Sequence, residues 1–163
     1  MRAVCRKHGG CKKLPLIFSI FALMEFNIRA VTNEDYDDIL VGWWNEWGWT
    51  PPKREFLPNN GTGGIIVSKN NIDICAGFIY FTNSKVAWIE FVISNKDYRE
   101  DDRMDAIEFL LASLSEIAMS EGYEFGYAVL KHKGLKEQYE NVGFVNSDNN
   151  ITEMLAVWQQ QQL

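Results

Sequence analysis

The chain has 163 residues, 47% of them hydrophobic and 13% aromatic, which suits one folded domain with one core and argues against disorder. Its formal net charge is −6, but residues 1–23 hold five of the 16 basic residues and none of the 22 acidic ones, so residues 24–163 carry a net charge of −11. Such a surface repels the phosphates of nucleic acids and favours cationic partners such as amines, so we expect no nucleic-acid partner.

Cysteine and histidine usage indicates neither a disulfide framework nor a metal site. Cys5 and Cys11 flank His8, but three possible ligands fall short of the four that a structural zinc site uses. Cys75 lies in an apolar stretch and is predicted to be a small core residue. We therefore expect no bound metal.

The first 23 residues differ from the rest of the chain. A basic segment runs to Lys13 and the apolar run Leu14–Met24 follows it, in the outline of a signal peptide. This run is too short to span a bilayer as a helix. We favour Met24 as the start of the protein, which makes residues 24–163 the folded domain and places it in the cytoplasm, away from membranes. A membrane-attached or exported form that uses residues 1–23 is the alternative.

The alternation of apolar and polar residues predicts a first strand at Phe26–Val31. Thr32 or Asn33 can cap the helix that follows, with acidic residues near its N-terminal end. Pro51-Pro52 stops this helix, and a loop rich in proline, asparagine and glycine occupies residues 50–64. The apolar residues that recur at helical spacing predict its buried face: Tyr36, Ile39, Leu40, Trp43, Trp44 and Trp47.

Three strands are predicted next, at Ile65–Ser68, Ile74–Phe81 and Val86–Ser94. Short turns link them, so consecutive strands are antiparallel. A long helix from 102 to 120 follows, because its apolar residues form one stripe and Gly122 stands after its end.

Beyond the long helix, Tyr127–Leu130 is predicted as a strand that a crossover places parallel to its neighbour. A short helix at Gly134–Asn141 ends at Gly143, and a last strand spans Thr152–Val157. The order β-α-(loop)-β-β-β-α-β-α-β predicts an α/β fold with a mixed, mostly antiparallel central sheet and helices on both faces.

This order resembles that of the GNAT acyl-CoA N-acyltransferases, over nearly all of residues 25–157. Four segments carry the resemblance, namely the opening strand and helix start, the central hairpin strand, the cofactor strand with its loop and helix, and the late tyrosine-containing helix with its Gly-Phe ending: Phe26–Tyr36, Ala76–Ile79, Val92–Ala118 and Leu135–Phe144. The tryptophan-rich segment Trp43–Trp49, with Leu57-Pro58, is similar to GNAT-like proteins of tailed phages. In the family the first helix shapes the acceptor side, so its tryptophans either line an acceptor pocket or pack in the core.

The resemblance implies an N-acyltransferase that moves an acetyl group from its cosubstrate acetyl-CoA to a small-molecule or peptide amine. In the family the thioester lies where two parallel strands splay apart, and free backbone N–H groups there polarise its carbonyl. By position, the resemblance assigns those N–H groups to Phe91, Val92 and Ile93.

Two side chains match the acid and the base that the reaction needs. Tyr139 matches the family's general acid, because a phenol can protonate the leaving thiolate and it stands four residues before Gly143, as in the family. Packing on the sheet is the alternative role for Tyr139. Glu90 is the base candidate, since a carboxylate among apolar neighbours can accept the ammonium proton directly or through water; a solvated rim glutamate is the alternative. Strand alternation predicts that Trp88, Glu90 and Val92 face one side.

The phosphate-binding loop departs from the family pattern of Arg or Gln, two residues, Gly, one residue, then Gly or Ala. Arg99 matches the first position, but Asp102 and Met104 occupy the two small ones. Asp102 would compete with a phosphate for the N–H groups of the helix start, whereas Arg99 and Arg103 could pair with the phosphate directly. His132 stands where the family often has an asparagine near the cofactor. These five residues are the predicted cofactor contacts, with a solvated helix start as the alternative.

Two functions follow from these residues. The first is acetyl transfer from acetyl-CoA to an amine, with Tyr139 as acid and Glu90 as base. The second is a GNAT-shaped binding or scaffold protein without catalysis, which the substitutions Asp102 and Met104 favour.

Overall fold

The computed structural model describes residues 25–130 and 133–146, and its centre is a five-stranded sheet. The strands follow one another across the sheet in chain order: β1 Asn27–Ala30, β2 Gly64–Lys69, β3 Ile72–Phe81, β4 Val86–Ser94 and β5 Phe125–Tyr127. Neighbours from β1 to β4 pair antiparallel, and β5 pairs parallel to β4. The predicted mixed, mostly antiparallel sheet is confirmed.

Helices cover both faces of the sheet. The first is built of α1 Asn33–Asp35, a π-helical turn Tyr36–Leu40 and α2 Val41–Glu46. The long α3 spans Arg103–Ser120 and the short α4 spans Lys136–Asn141. Single 3-10 turns complete the described elements: Arg54–Phe56, Pro58–Gly61 and Lys133–Leu135.

Arg29 fixes the start of the first helix to the sheet. Its guanidinium contacts Asp35 at 2.7 Å and Asp73 at 2.7 Å, so one β1 side chain joins α1 to β3. The backbone N–H of Thr32 also donates to Asp35 at 2.7 Å, which satisfies a donor at the helix start. Burial alone would raise the pKa of Asp35, but the hydrogen bonds from Arg29 and Thr32 outweigh it and hold that pKa below its usual value.

A separate hydrophobic core lies on each face of the sheet. The core under α3 contains its Leu110, Leu111 and Leu114 together with β-strand residues such as Ile89. The core under the first helix contains Leu40, Trp43, Trp44, Leu57, Ile66, Phe78 and Ile93. The tryptophans were predicted either to line an acceptor pocket or to pack in the core, and Trp43 and Trp44 pack in the core.

A β-bulge interrupts the pairing of β3 and β4. Ala76 pairs with Ile93 and Phe78 pairs with Glu90, so two residues of β4 lie opposite the single residue Gly77. One of the two, Phe91, has a φ of 54°, in the left-handed region. A Cβ on Gly77 would lie only 3.1 Å from a methyl group of Leu114, so glycine lets α3 pack closely against this point.

The bulge overturns one predicted orientation. Ala87, Ile89 and Val92 belong to the core under α3, and Trp88 and Glu90 therefore face the opposite side of the sheet. The expectation that Val92 shares a face with Trp88 and Glu90 was wrong, because the extra residue reverses the alternation of side chains beyond it.

The last parallel strand is shorter and earlier than predicted. Pairing with β4 covers only Phe125–Tyr127, whereas the apolar pattern predicted Tyr127–Leu130. The predicted strand Thr152–Val157 and the N-terminal extension 1–23 lie outside the described residues. Among the residues that the structure does describe, no helix has the length and apolar character to cross a membrane.

Candidate active site

The parallel strands β4 and β5 come apart after three residue pairs. Val86, Ala87 and Trp88 pair with Phe125, Gly126 and Tyr127, and β4 then continues to Ser94 without β5 beside it. The predicted carbonyl-holding segment Phe91–Ile93 lies in this continuation. The bulge takes Phe91 and Val92 out of regular pairing with β3, while Ile93 still pairs with Ala76. We call the space between the diverging strands the strand opening.

Tyr139 reaches the strand opening from α4. The side chain is 3% exposed, and its hydroxyl donates to the carbonyl oxygen of Ile89 at 3.4 Å, one residue past the last β4–β5 pair. Its ring makes an edge contact with Phe144 at 5.1 Å, and Phe144 fills the space above Gly126, where a Cβ would lie 3.0 Å from it. The Gly-Phe ending of α4 thus sets the tyrosine against β5.

Burial and then the charge of Glu90 raise the pKa of Tyr139 well above its ordinary value. The phenol is therefore neutral and protonated at physiological pH, which is the form that can donate a proton.

Glu90 bridges the two strands beyond their last pair. Its Oε1 accepts a hydrogen bond of 2.9 Å from the backbone N–H of Val129, two residues after the end of β5. Together with burial, its charge also raises the pKa of Tyr80 to about 12. Sequence reasoning did not find the contact with Val129, because a backbone N–H carries no residue-type signal.

Asp102 occupies the N-cap position of α3, as its place in the sequence predicts, but its carboxylate makes no cap hydrogen bond. Instead Oδ2 accepts from Lys69 at 2.6 Å and Oδ1 accepts from the hydroxyl of Tyr98 at 2.8 Å. Burial would raise the pKa of Asp102, but these two bonds outweigh it and lower that pKa. The carboxylate thus leaves the N–H groups of the first turn of α3 without a cap hydrogen bond, and its competition with a phosphate stays a prediction.

The other loop residues point in different directions. Met104 packs against the core under α3, so its side chain replaces a small residue without filling the loop. The guanidinium of Arg103 lies 5.8 Å from the ring centre of Trp47 and donates to the carbonyl of Tyr98 at 3.5 Å. Arg99 is exposed and lines a cavity of about 600 Å³ that also borders Lys69 and Asp102. His132 lies outside the described residues.

Lys69 and Tyr98 were missed by sequence reasoning. Lys69 ends β2 and lies 33 positions before Asp102, so no local motif connects them. Tyr98 stands four positions before Asp102, a spacing that does not by itself distinguish a bonded pair from a core tyrosine. Their effect is visible only when β2 and the helix start are side by side.

Comparisons with solved structures find a similar fold in several acetyltransferases. An acetyltransferase from Trypanosoma brucei superposes with a TM-score of 0.55 at 17% identity, covering 80% of this chain and 99% of that one. Glucosamine-6-phosphate N-acetyltransferase from Arabidopsis thaliana gives a TM-score of 0.56 at 15% identity, with 80% and 99% coverage. N-acetylglutamate synthase from Neisseria gonorrhoeae, crystallised with coenzyme A and N-acetyl-glutamate, gives 0.56 at 17% identity over 71% of this chain and 27% of that one.

No protein-family model matches the chain, and no curated protein matches it in sequence. The likeness to solved structures therefore shows the fold. It confirms the expected GNAT architecture, a five-stranded sheet flanked by helices.

Proposed function

We propose that this protein transfers an acetyl group from acetyl-CoA to an amine. The observation that carries the proposal is that Tyr139 and Glu90 each contact backbone just past the last β4–β5 pair, Tyr139 at the carbonyl of Ile89 and Glu90 at the N–H of Val129. Acetyl transfer is also the named activity of proteins that share the fold. One of them was crystallised with coenzyme A, which supports a cosubstrate of that type.

In this proposal the bulged segment Phe91–Ile93 orients the thioester carbonyl through backbone N–H groups. Glu90 takes a proton from the incoming ammonium, directly or through water, so that the free amine nitrogen can form the new C–N bond. As the C–S bond breaks, Tyr139 gives its hydroxyl proton to the sulfur. Tyr139 is protonated at physiological pH and therefore has the proton to give.

At the other end of the cosubstrate, the first turn of α3 offers backbone N–H groups to a pyrophosphate. The bonds of Asp102 to Lys69 and Tyr98 keep its carboxylate from that turn. Arg99 is exposed beside it and supplies the positive charge. Arg103, held over Trp47, contributes less.

A GNAT-shaped binding protein without catalysis is the second candidate. The observation that favours it is the cluster Glu100, Asp101 and Asp102 at a helix start that the family reserves for a phosphate. Carboxylates near a bound pyrophosphate weaken the binding of that pyrophosphate by charge repulsion.

Calorimetric titration of the full chain with acetyl-CoA tests the choice. Micromolar binding that weakens about tenfold in Arg99→Ala, a loss typical of a charge-assisted hydrogen bond, is the expected result. Arg103→Ala is expected to weaken binding less, and a cosubstrate analogue lacking the pyrophosphate should bind poorly to every variant. No binding at millimolar acetyl-CoA would reject acetyl transfer in favour of the second candidate.

A further inference from the structure

An exposed row of aromatic rings lies on the sheet face that carries Glu90. Tyr80 and Tyr127 are the register partners of Trp88 on β3 and β5, and residues opposite one another project to the same face. Trp88 is 41% exposed and Tyr127 is 37% exposed, and their ring centres lie 4.9 Å apart. A contiguous exposed patch of aromatic side chains is typical of a surface that contacts a ligand or partner.

The row continues on the other side of Glu90. Phe91 makes an edge contact with Phe56 at 5.9 Å and a tilted contact with Tyr80 at 6.4 Å. The hydroxyl of Tyr80 donates to the carbonyl of Phe56 at 2.7 Å, which ties the turn Arg54–Phe56 to the sheet. We call Phe56, Tyr80, Trp88, Phe91 and Tyr127 the aromatic wall.

The chemistry of the aromatic wall selects its ligand. The tyrosine hydroxyl of Tyr80 is already engaged, and its pKa of about 12 keeps it neutral. The wall therefore presents mostly π faces and apolar edges, together with the hydroxyl of Tyr127 and the indole N–H of Trp88. The carboxylate of Glu90 lies between Trp88 and Phe91 in β4. Ring faces attract an organic cation, and a carboxylate attracts it further, whereas most sugar hydroxyl groups placed against ring faces would lose water without gaining a hydrogen bond.

We propose that the acceptor is a small primary amine carried on an apolar, ring-bearing body, with its ammonium at Glu90 and its body against the aromatic wall. This inference rests on the proposed acetyl transfer and narrows its acceptor class. It excludes polyhydroxylated amines, such as the amino sugar named for the Arabidopsis thaliana enzyme, as the preferred acceptor.

Binding without acetyl-CoA tests the wall directly. Calorimetry or ligand-observed NMR with 2-phenylethylamine, 2-phenylethanol and glucosamine distinguishes the contribution of the ring to binding from that of the ammonium charge. We expect 2-phenylethylamine to bind at least about tenfold more tightly than either other compound, since each lacks one of the two attractions. Equal binding of glucosamine, or no binding of 2-phenylethylamine at millimolar concentration, would overturn the proposal.

Variants locate the interaction. Trp88→Ala should weaken 2-phenylethylamine binding about fivefold to tenfold, and Trp88→Phe should restore most of it because a ring remains. Glu90→Gln should weaken the amine and leave the alcohol unchanged. The matched control is Phe81→Ala, since Phe81 is 48% exposed but lies on the α3 side of the same sheet. An equal effect of Phe81→Ala and Trp88→Ala would reject the wall as the site.

Acetylation rates test the acceptor class separately from the proposed acetyl transfer. Amine binding through the wall with no acetyl transfer to any amine would reject the proposed enzyme and retain the binding site. Efficient transfer to glucosamine, insensitive to Trp88→Phe and Trp88→Ala alike, would retain the enzyme and reject the acceptor class.

Discussion

The strand opening and the first turn of α3 are the two places that would hold the proposed cosubstrate, and they depend on different parts of the chain. At the strand opening the backbone provides the geometry, through the divergence of β5 and the bulge at Phe91, and two side chains complete it. At the start of α3 the geometry depends on where side chains point, because Asp102 and Met104 stand where the family pattern has glycine or alanine.

The difference teaches how a substituted loop can keep its shape. A glycine leaves room by having no side chain, whereas Asp102 leaves room because Lys69 and Tyr98 hold its carboxylate elsewhere. The first solution needs one residue and the second needs three. The α3 end should therefore be the more easily damaged by distant substitutions.

The largest expected effect is at the strand opening. Tyr139→Phe should lower kcat about 100-fold, within the range for loss of a general acid, and leave the Kd for acetyl-CoA nearly unchanged. The hydroxyl makes one long hydrogen bond to Ile89, so its removal should cost the fold about 1 kcal/mol or less. Steady-state kinetics and calorimetry measure the two quantities.

Tyr123→Phe is the matched control for that variant. Tyr123 also donates its hydroxyl to a backbone carbonyl, that of Thr82 at 2.8 Å, but at the turn between β3 and β4. Tyr123→Phe should leave kcat unchanged. Unchanged turnover in Tyr139→Phe itself would remove Tyr139 from the role of acid.

An intermediate effect is expected at α3. Lys69→Met removes the ammonium that holds Asp102 and keeps the apolar stem, so the carboxylate is released to cap α3. Acetyl-CoA binding should weaken about fivefold, the equivalent of about 1 kcal/mol for a cap or helix-end charge. Asp102→Ala should not weaken binding, and the double variant Lys69→Met/Asp102→Ala should bind like Asp102→Ala.

Lys85→Met serves as the control for the lost charge, because Lys85 contacts the carbonyl of Gly122 at the far end of β4. If the double variant stays as weak as Lys69→Met, Lys69 contacts the phosphates itself. In that case the strand opening and the start of α3 differ less than we infer.

The smallest expected effect is one of pH. Burial and Glu90 raise the pKa of Tyr139, so folding keeps this phenol protonated while an unfolded tyrosine ionises near its ordinary pKa of 10.0. The stability this contributes is complete below that value and is lost as pH rises toward the folded pKa. A spectrophotometric titration through pH 10 should show the same tyrosinate signal in the native protein and in Tyr139→Phe. A smaller signal in Tyr139→Phe would mean that Tyr139 ionises like an exposed tyrosine.

Sequence patterns predicted most of the fold because its strands and long helix have strong periodicity. Val86–Ser94 was placed at its observed bounds, and both cores follow the apolar stripes. The bulge escaped prediction because Phe91 and Val92 are both apolar, so the sequence pattern does not show which face each one takes. Only the register opposite Gly77 reveals the extra residue. The bounds of β5 escaped because the apolar residues continue after the pairing ends.

At the candidate site, residue type and position selected Tyr139 and Glu90, and the structure shows each in contact with backbone just past the β4–β5 pairs. Their catalytic roles stay predictions. The surroundings of Asp102 were not predictable, since a side chain's direction depends on partners that β2 supplies from 33 positions away.

Phe91 has a consequence for the durability of the protein. A phenylalanine with a φ of 54° carries a conformational penalty of about 1–3 kcal/mol that glycine would avoid. Its ring contacts with Phe56 and Tyr80 offset that penalty and keep the kink in one conformation. A glycine at this position would relax the backbone and loosen the kink together, so heat resistance and a well-shaped opening are in competition at a single residue.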